Sequence, residues 1–227
     1  MNGINDKEEL KPYALIGGIS LLVMALAAVF SVGAITRVET GGVNGGVLID
    51  QGLLRQGIGG WILILITDVV VAWALYVLLK PVHRLWSLLA GSIRLVYAAI
   101  LGTGIGFLFL ALQTMEQSGQ ADDLLHYVGT FRDIWSFGLI MFGVHLLILG
   151  PLCIRSGYIP RLLGYLIAIA GAGYLIIHLG HLLIPGFDPV QKILEMVFML
   201  PMLLGELGLA IWLLARANKL TKRLIAD

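Results

Sequence analysis

Six stretches of this 227-residue sequence are long and apolar enough to cross a bilayer as helices, and nothing else in it constrains the fold as much. They run from Tyr13 to Ile35, Gly57 to Leu79, Leu85 to Leu112, Phe131 to Ile154, Leu162 to Ile184 and Val190 to Ala215. Crossing hydrocarbon takes about 20 largely apolar residues in a helix, which satisfies every backbone N–H and C=O internally where no water can. The composition points the same way. The chain is 59% hydrophobic and 13% charged, with a mean hydropathy of +0.94, too little charge to clothe a soluble surface. The expectation is an all-α, polytopic membrane helix bundle, with residues 1–227 forming a single integral membrane domain. The first stretch is too long for a signal-peptide core, and its leader, Asp6-Lys7-Glu8-Glu9, is acidic, so it reads as a retained anchor.

Six spans put both termini on one side, and the basic residues say which. Lys7, Lys11, Lys80, Arg84, Arg155, Arg161, Arg216, Lys219, Lys222 and Arg223 fall on the terminal side, against Arg37, Arg55, Arg132 and Lys192 opposite. The excess of Lys and Arg predicts cytoplasmic termini. Trp61 and Trp135 near the outer helix ends, and Trp86 and Trp212 near the inner ones, read as interfacial anchors. A formal net charge of +1 and the lack of any basic run interleaved with aromatics argue against a nucleic-acid partner. One cysteine, Cys153, leaves neither an intrachain disulfide nor a cysteine metal cluster available.

The two inner hairpins look alike, with Lys80-Pro81-Val82-His83-Arg84-Leu85 in one and Arg155 followed by Ile159-Pro160-Arg161-Leu162 in the other. A weak direct repeat would explain this, as would the plain use of cationic, proline-bearing turns to end helices. Here the sequence resembles a bacterial family of multi-span membrane proteins known only as a domain of unknown function. The likeness rests on Ala74-Leu75-Tyr76-Val77-Leu78-Leu79-Lys80-Pro81-Val82, Ile93-Arg94-Leu95-Val96, Phe142-Gly143-Val144-His145-Leu146 and, most specifically, Arg155-Ser156-Gly157-Tyr158-Ile159-Pro160-Arg161-Leu162-Leu163-Gly164. In that family an acidic residue often follows the third-span arginine, where this chain has Tyr97. The resemblance implies a multi-pass protein of the bacterial inner (cytoplasmic) membrane and no particular activity.

Charges near the bilayer centre cost about 2.5–3.5 kcal/mol each on insertion scales, so Asp68, Arg94 and Glu206 each require a reason. Counted from the basic inner ends at about 1.5 Å per residue, these three and His145 lie roughly 15–18 Å deep, in one layer. On the third span Ser87, Gly91, Arg94, Ala98, Gly102 and Gly106 recur at helical steps, turning the arginine into a small-residue stripe that faces the bundle. Asp68 and Glu206 compete for it. One reading is a buried ion pair that fixes helix register. The other is that the surplus carboxylate, with His145, makes a protonatable site on the path of a proton, ion or small-molecule substrate.

A second cluster belongs to the outer half. Gly164, Gly171, Tyr174, His178 and His181 share a face of the fifth span, and His178 and His181 at i,i+3 can aim two imidazoles at one point. Glu195 on the sixth span and Asp133 on the fourth fall at matching depth, completing a ligand set suited to zinc, iron or manganese. Interfacial histidines bound to loop backbone are the plainer alternative. Glu195 and Glu206, 11 residues apart, share a helix face and could form one polar track. Gly102-Thr103-Gly104-Ile105-Gly106 lies inside a span with no preceding strand, which rules out a nucleotide loop and makes it a packing surface. The connection from Thr36 to Gln56 reads as a cover or loop at the outer interface. Three functions follow as expectations: a small transporter, permease-like protein or sensor using the charged layer; a metal-dependent intramembrane enzyme acting on a lipid or other hydrophobic substrate; and a structural or partner-binding protein that forms homo-oligomers through its small-residue stripes.

Overall fold

The structure, a computed structural model, describes residues 10–43, 50–117 and 121–226. These residues form six helices: α1 Leu10–Val43, α2 Gln51–Leu79, α3 Arg84–Gln117, α4 Ala121–Arg155, α5 Arg161–Leu183 and α6 Asp188–Ala226. There is no strand among the described residues, and each helix holds a stretch long and apolar enough to cross a membrane. The helices outrun the apolar stretches, because polar turns continue them past the hydrocarbon. Most of the expected outer connection is helical: α1 continues to Val43, Asp50 caps α2 by accepting from Gly52 N at 2.8 Å, and Leu54 is buried. Its apolar piece Val47-Leu48-Ile49 lies outside the described residues.

Each helix packs on the next, α6 closes the ring on α1, and α1 also touches α4 across it. The ring therefore has two lobes. One is enclosed by α1, α2, α3 and α4; the other lies between α4, α5, α6 and α1. The turns α2–α3 and α4–α5 sit at the end that carries both termini of the helical ring.

That terminal end is tied by side chains that donate to carbonyls in the last turn of α2, at Tyr76 adding to the bond its carbonyl already accepts from Lys80 N at 2.9 Å. Lys80 ends α2 and Pro81 follows. Tyr158 Oη donates to the Leu78 carbonyl, and Ser87 Oγ donates to the Tyr76 carbonyl at 2.9 Å. Burial pushes the Tyr158 hydroxyl above its ordinary range, keeping it a donor. Ser156 Oγ donates to the Cys153 carbonyl at 2.7 Å and accepts from Ile159 N at 3.0 Å, while Gly157 takes a φ of +73° that only glycine adopts without strain. Pro160 then starts α5. The stretch that carries the family resemblance is thus a compact strap between two hairpins.

Between α4 and α5 the backbones nearly touch. A methyl group on Gly150 would stand 2.7 Å from the Gly164 carbonyl oxygen, and one on Gly143 would stand 2.9 Å from that of Gly171. Four glycines at a spacing of seven on antiparallel helices make this seam. The α3 stripe works differently. Gly91 abuts the Ala72 carbonyl and Tyr76, Gly102 abuts Leu65, and Gly106 faces open space. Gly91 and Gly102 each meet α2 within the chain.

Trp61 departs from its expected place. It is only 2% exposed and sits edge-on to both Phe131 (5.0 Å) and Trp135 (4.8 Å), inside the first lobe. Its helix is covered on that face by α4, so the ring is core and not an interfacial anchor. Trp86 is half exposed, as an anchor should be.

Candidate functional site

Four helices converge on Arg94. Its Nη2 donates to Asp68 Oδ1 at 2.6 Å, and both side chains are 1% exposed. Its Nη1 lies 3.3 Å from His145 Nε2. The other imidazole nitrogen, Nδ1, is 2.9 Å from the Ala90 carbonyl, which can only accept, so Nδ1 carries the proton and Nε2 accepts from the arginine. Met24 Sδ on α1 stands 3.5 Å from Nη2, and the guanidinium carbon lies 5.1 Å from the Phe142 ring centroid. α1, α2, α3 and α4 thus each contribute to one buried cluster. Asp68 Oδ2 and Arg94 Nε have no protein partner. Breaking a closed ion pair of this kind strands a charge.

Glu206 is not part of that cluster. It lies on α6, half-buried, and among the described residues its hydrogen-bond partner is Tyr174, whose hydroxyl donates to Oε1 at 3.4 Å. Tyr174 stacks on His178 at 6.0 Å, and His178 Nδ1 shares a hydrogen bond of 2.9 Å with Ser136 Oγ. Phe142 separates the two groups, with His145 at 5.8 Å and Tyr174 at 5.3 Å. The expected layer is therefore two sites. Asp68 takes the ion pair with Arg94, while Glu206 makes no ion pair among the described residues and feels Arg94 only at longer range.

The four residues expected to gather a metal are dispersed. His178 turns inward to Ser136, while His181 is exposed with Nδ1 3.9 Å from Asp188. Glu195 is exposed and accepts from Gln191 Nε2 at 2.8 Å. Asp133 is exposed on α4, next to the Arg132 that pairs with Glu39. Among the described residues no three His, Cys, Asp or Glu side chains are placed to hold a metal ion. The reason is angular: i,i+3 leaves a twist of about 60° between two side chains, enough to send one into the bundle and the other out of it.

Met24, Ser136 and Phe142 escaped sequence reading. Phe142 had a signal, standing three residues before His145 on the same helical face. Met24 and Ser136 had none, since an uncharged side chain in a span draws no attention until its neighbour is known.

Ion pairs also clasp the end opposite the termini. Arg55 pairs with Glu116 between α2 and α3, and Arg132 pairs with Glu39 between α4 and α1 and donates to Thr36 Oγ1 at 3.2 Å. The second clasp holds α1 against α4 at that end.

Residues 16–217 match a family described as a domain of unknown function (DUF4386). An uncharacterized protein of the archaeon Archaeoglobus fulgidus is 36% identical over 165 residues, covering 72% of this chain and 85% of that one. No solved structure matches.

Proposed function

The chain belongs to the family described as a domain of unknown function (DUF4386), and on that premise we propose that it is a small, proton-coupled, permease-like transporter in which Glu206 is the exchangeable charge. One observation carries this reading. An acid at mid-depth has no cation beside it among the described residues and only a long hydrogen bond from Tyr174, whereas an intramembrane acid is ordinarily paired unless it lies on a substrate or ion path. Asp68, Arg94 and His145 form the fixed frame against which that carboxyl works. The excess of basic residues at the terminal end supports a reading in which both termini face the cytoplasm and the membrane is the inner (cytoplasmic) one.

The test uses the proton as its own probe. Proteoliposomes adsorbed on a solid-supported electrode are given a pH jump and the displaced charge is recorded. The wild type yields a saturable transient, and Glu206→Gln reduces it at least tenfold while eluting as a single species in detergent. Equal transients from the two proteins would overturn the reading.

A further inference from the structure

The α1–α6 seam is closed over one half of its length and open over the other. On α6 Leu213 and Ala210 meet Gly17 and Gly18 of α1, and heptad steps through these two positions run from Ala217 to Glu206, Leu203, Met199 and Met196. Ala217, Leu213 and Ala210 are buried to 2% exposure or less, Glu206 is half-buried, and Leu203, Met199 and Met196 are 50%, 56% and 75% exposed. The opposing stripe on α1 behaves alike. Ala14, Gly18 and Leu21 are buried, with a methyl on Gly18 falling 2.8 Å from Leu214 and 3.0 Å from the Ala210 carbonyl oxygen, while Val29 further along is 79% exposed. The Arg132–Glu39 clasp draws α1 toward α4 at that end, and α6 there leans on α5, where Phe198 meets Gly173.

We infer that this wedge between α1 and α6 is a lateral entrance from the bilayer for a membrane-dissolved organic cation, whose charge comes to rest at Glu206. Charge and depth select this occupant, given the permease reading of Glu206 on which the entrance rests. The wedge walls are methionine, leucine and valine, which suit a varied apolar body. At its floor lies the Glu206 carboxyl, which has no ion-pair partner among the described residues and feels Arg94 only at longer range, with the Tyr174 face beside it. At its mouth Glu195, three turns away on the same face and about 16 Å distant, offers a second acid. Lys192, one turn beyond, is exposed toward the headgroups. An anion would meet two carboxylates on this path, and a hydrophilic cation would have to cross hydrocarbon to enter it.

Radiolabelled tetraphenylphosphonium is the probe, measured by equilibrium binding to the full chain in lipid nanodiscs, with tetraphenylborate as the anionic isostere. Saturable cation binding is expected, with affinity falling at least tenfold in Glu206→Gln. Met199→Trp, which fills the wedge and leaves the acid in place, lowers binding comparably. Leu204→Trp, on the far side of α6, leaves it unchanged. The inference is overturned if binding is unsaturable, if tetraphenylborate binds as tightly, or if Met199→Trp and Leu204→Trp behave alike. Loss of the pH-jump transient in Glu206→Gln without tetraphenylphosphonium binding sinks the entrance and keeps the permease. Saturable, Glu206-dependent binding without a transient does the reverse.

Discussion

Phe142 stands edge-on to Tyr174, ring centroids 5.3 Å apart at 87°, and it is through this contact that the closed Arg94 cluster meets the open Glu206 one. A single aromatic ring belongs to both. A double-mutant cycle of Phe142→Leu and Tyr174→Leu, read by unfolding in mixed micelles, is expected to give a coupling of about 0.5–1.5 kcal/mol. A coupling indistinguishable from zero would show that the two clusters are energetically separate.

Asp68→Asn leaves Arg94 buried beside a neutral group, and a broken buried pair costs about 3–5 kcal/mol. We expect a lowered unfolding midpoint and poor recovery from the membrane. The double variant Asp68→Leu/Arg94→Met removes both charges and should recover much of that loss. If the double variant were worse than the single, the pair would be contributing more than register.

The glycine seam separates two kinds of glycine. Gly150→Ala and Gly171→Ala push a methyl to within 2.7–2.8 Å of the facing backbone and should destabilise by about 1–3 kcal/mol each. Gly106→Ala, with nothing within 4 Å of the new methyl, should be neutral or stabilise by up to about 1 kcal/mol. Thermal unfolding in detergent ranks the three, and equal effects would contradict the close approach of α4 and α5.

Tyr158→Phe removes the donor to the Leu78 carbonyl and should cost about 1 kcal/mol. Burial raises the hydroxyl's pKa above that of an unfolded tyrosine, so its contribution is complete below about pH 10 and declines as pH climbs from there toward the folded value. The stability gap between wild type and Tyr158→Phe should therefore narrow above about pH 10. A gap that widened on the alkaline side would reverse the assignment.

The six spans were legible because hydrocarbon imposes a length and a polarity that few other structures share. Arg94's inward direction was legible from its small neighbours, Gly91 and Ala98, on one helical face. What could not be read was which acid it takes. Depth alone put Asp68 and Glu206 on a par, and the choice was made by ring order, α3 packing on α2 and not on α6. Trp61 misled for a related reason: its position along the helix marked an interface, but the azimuth that buries it depends on a neighbour 70 residues on. His178 and His181 looked like a pair because i,i+3 spacing permits one. Only the placement of Ser136 and Asp188 separates them.

The backbone contact between Gly150 and Gly164, repeated between Gly143 and Gly171, leaves α4 and α5 no room to slide or roll against each other. They form one mechanical body, and the Ser156–Pro160 strap that joins them is a stay, not a hinge. Any rearrangement of the bundle then has to be borne elsewhere. α6 is the helix with the slack, held on one side only over its far half and carrying Pro201, which deletes one backbone hydrogen bond, at the point where the wedge begins.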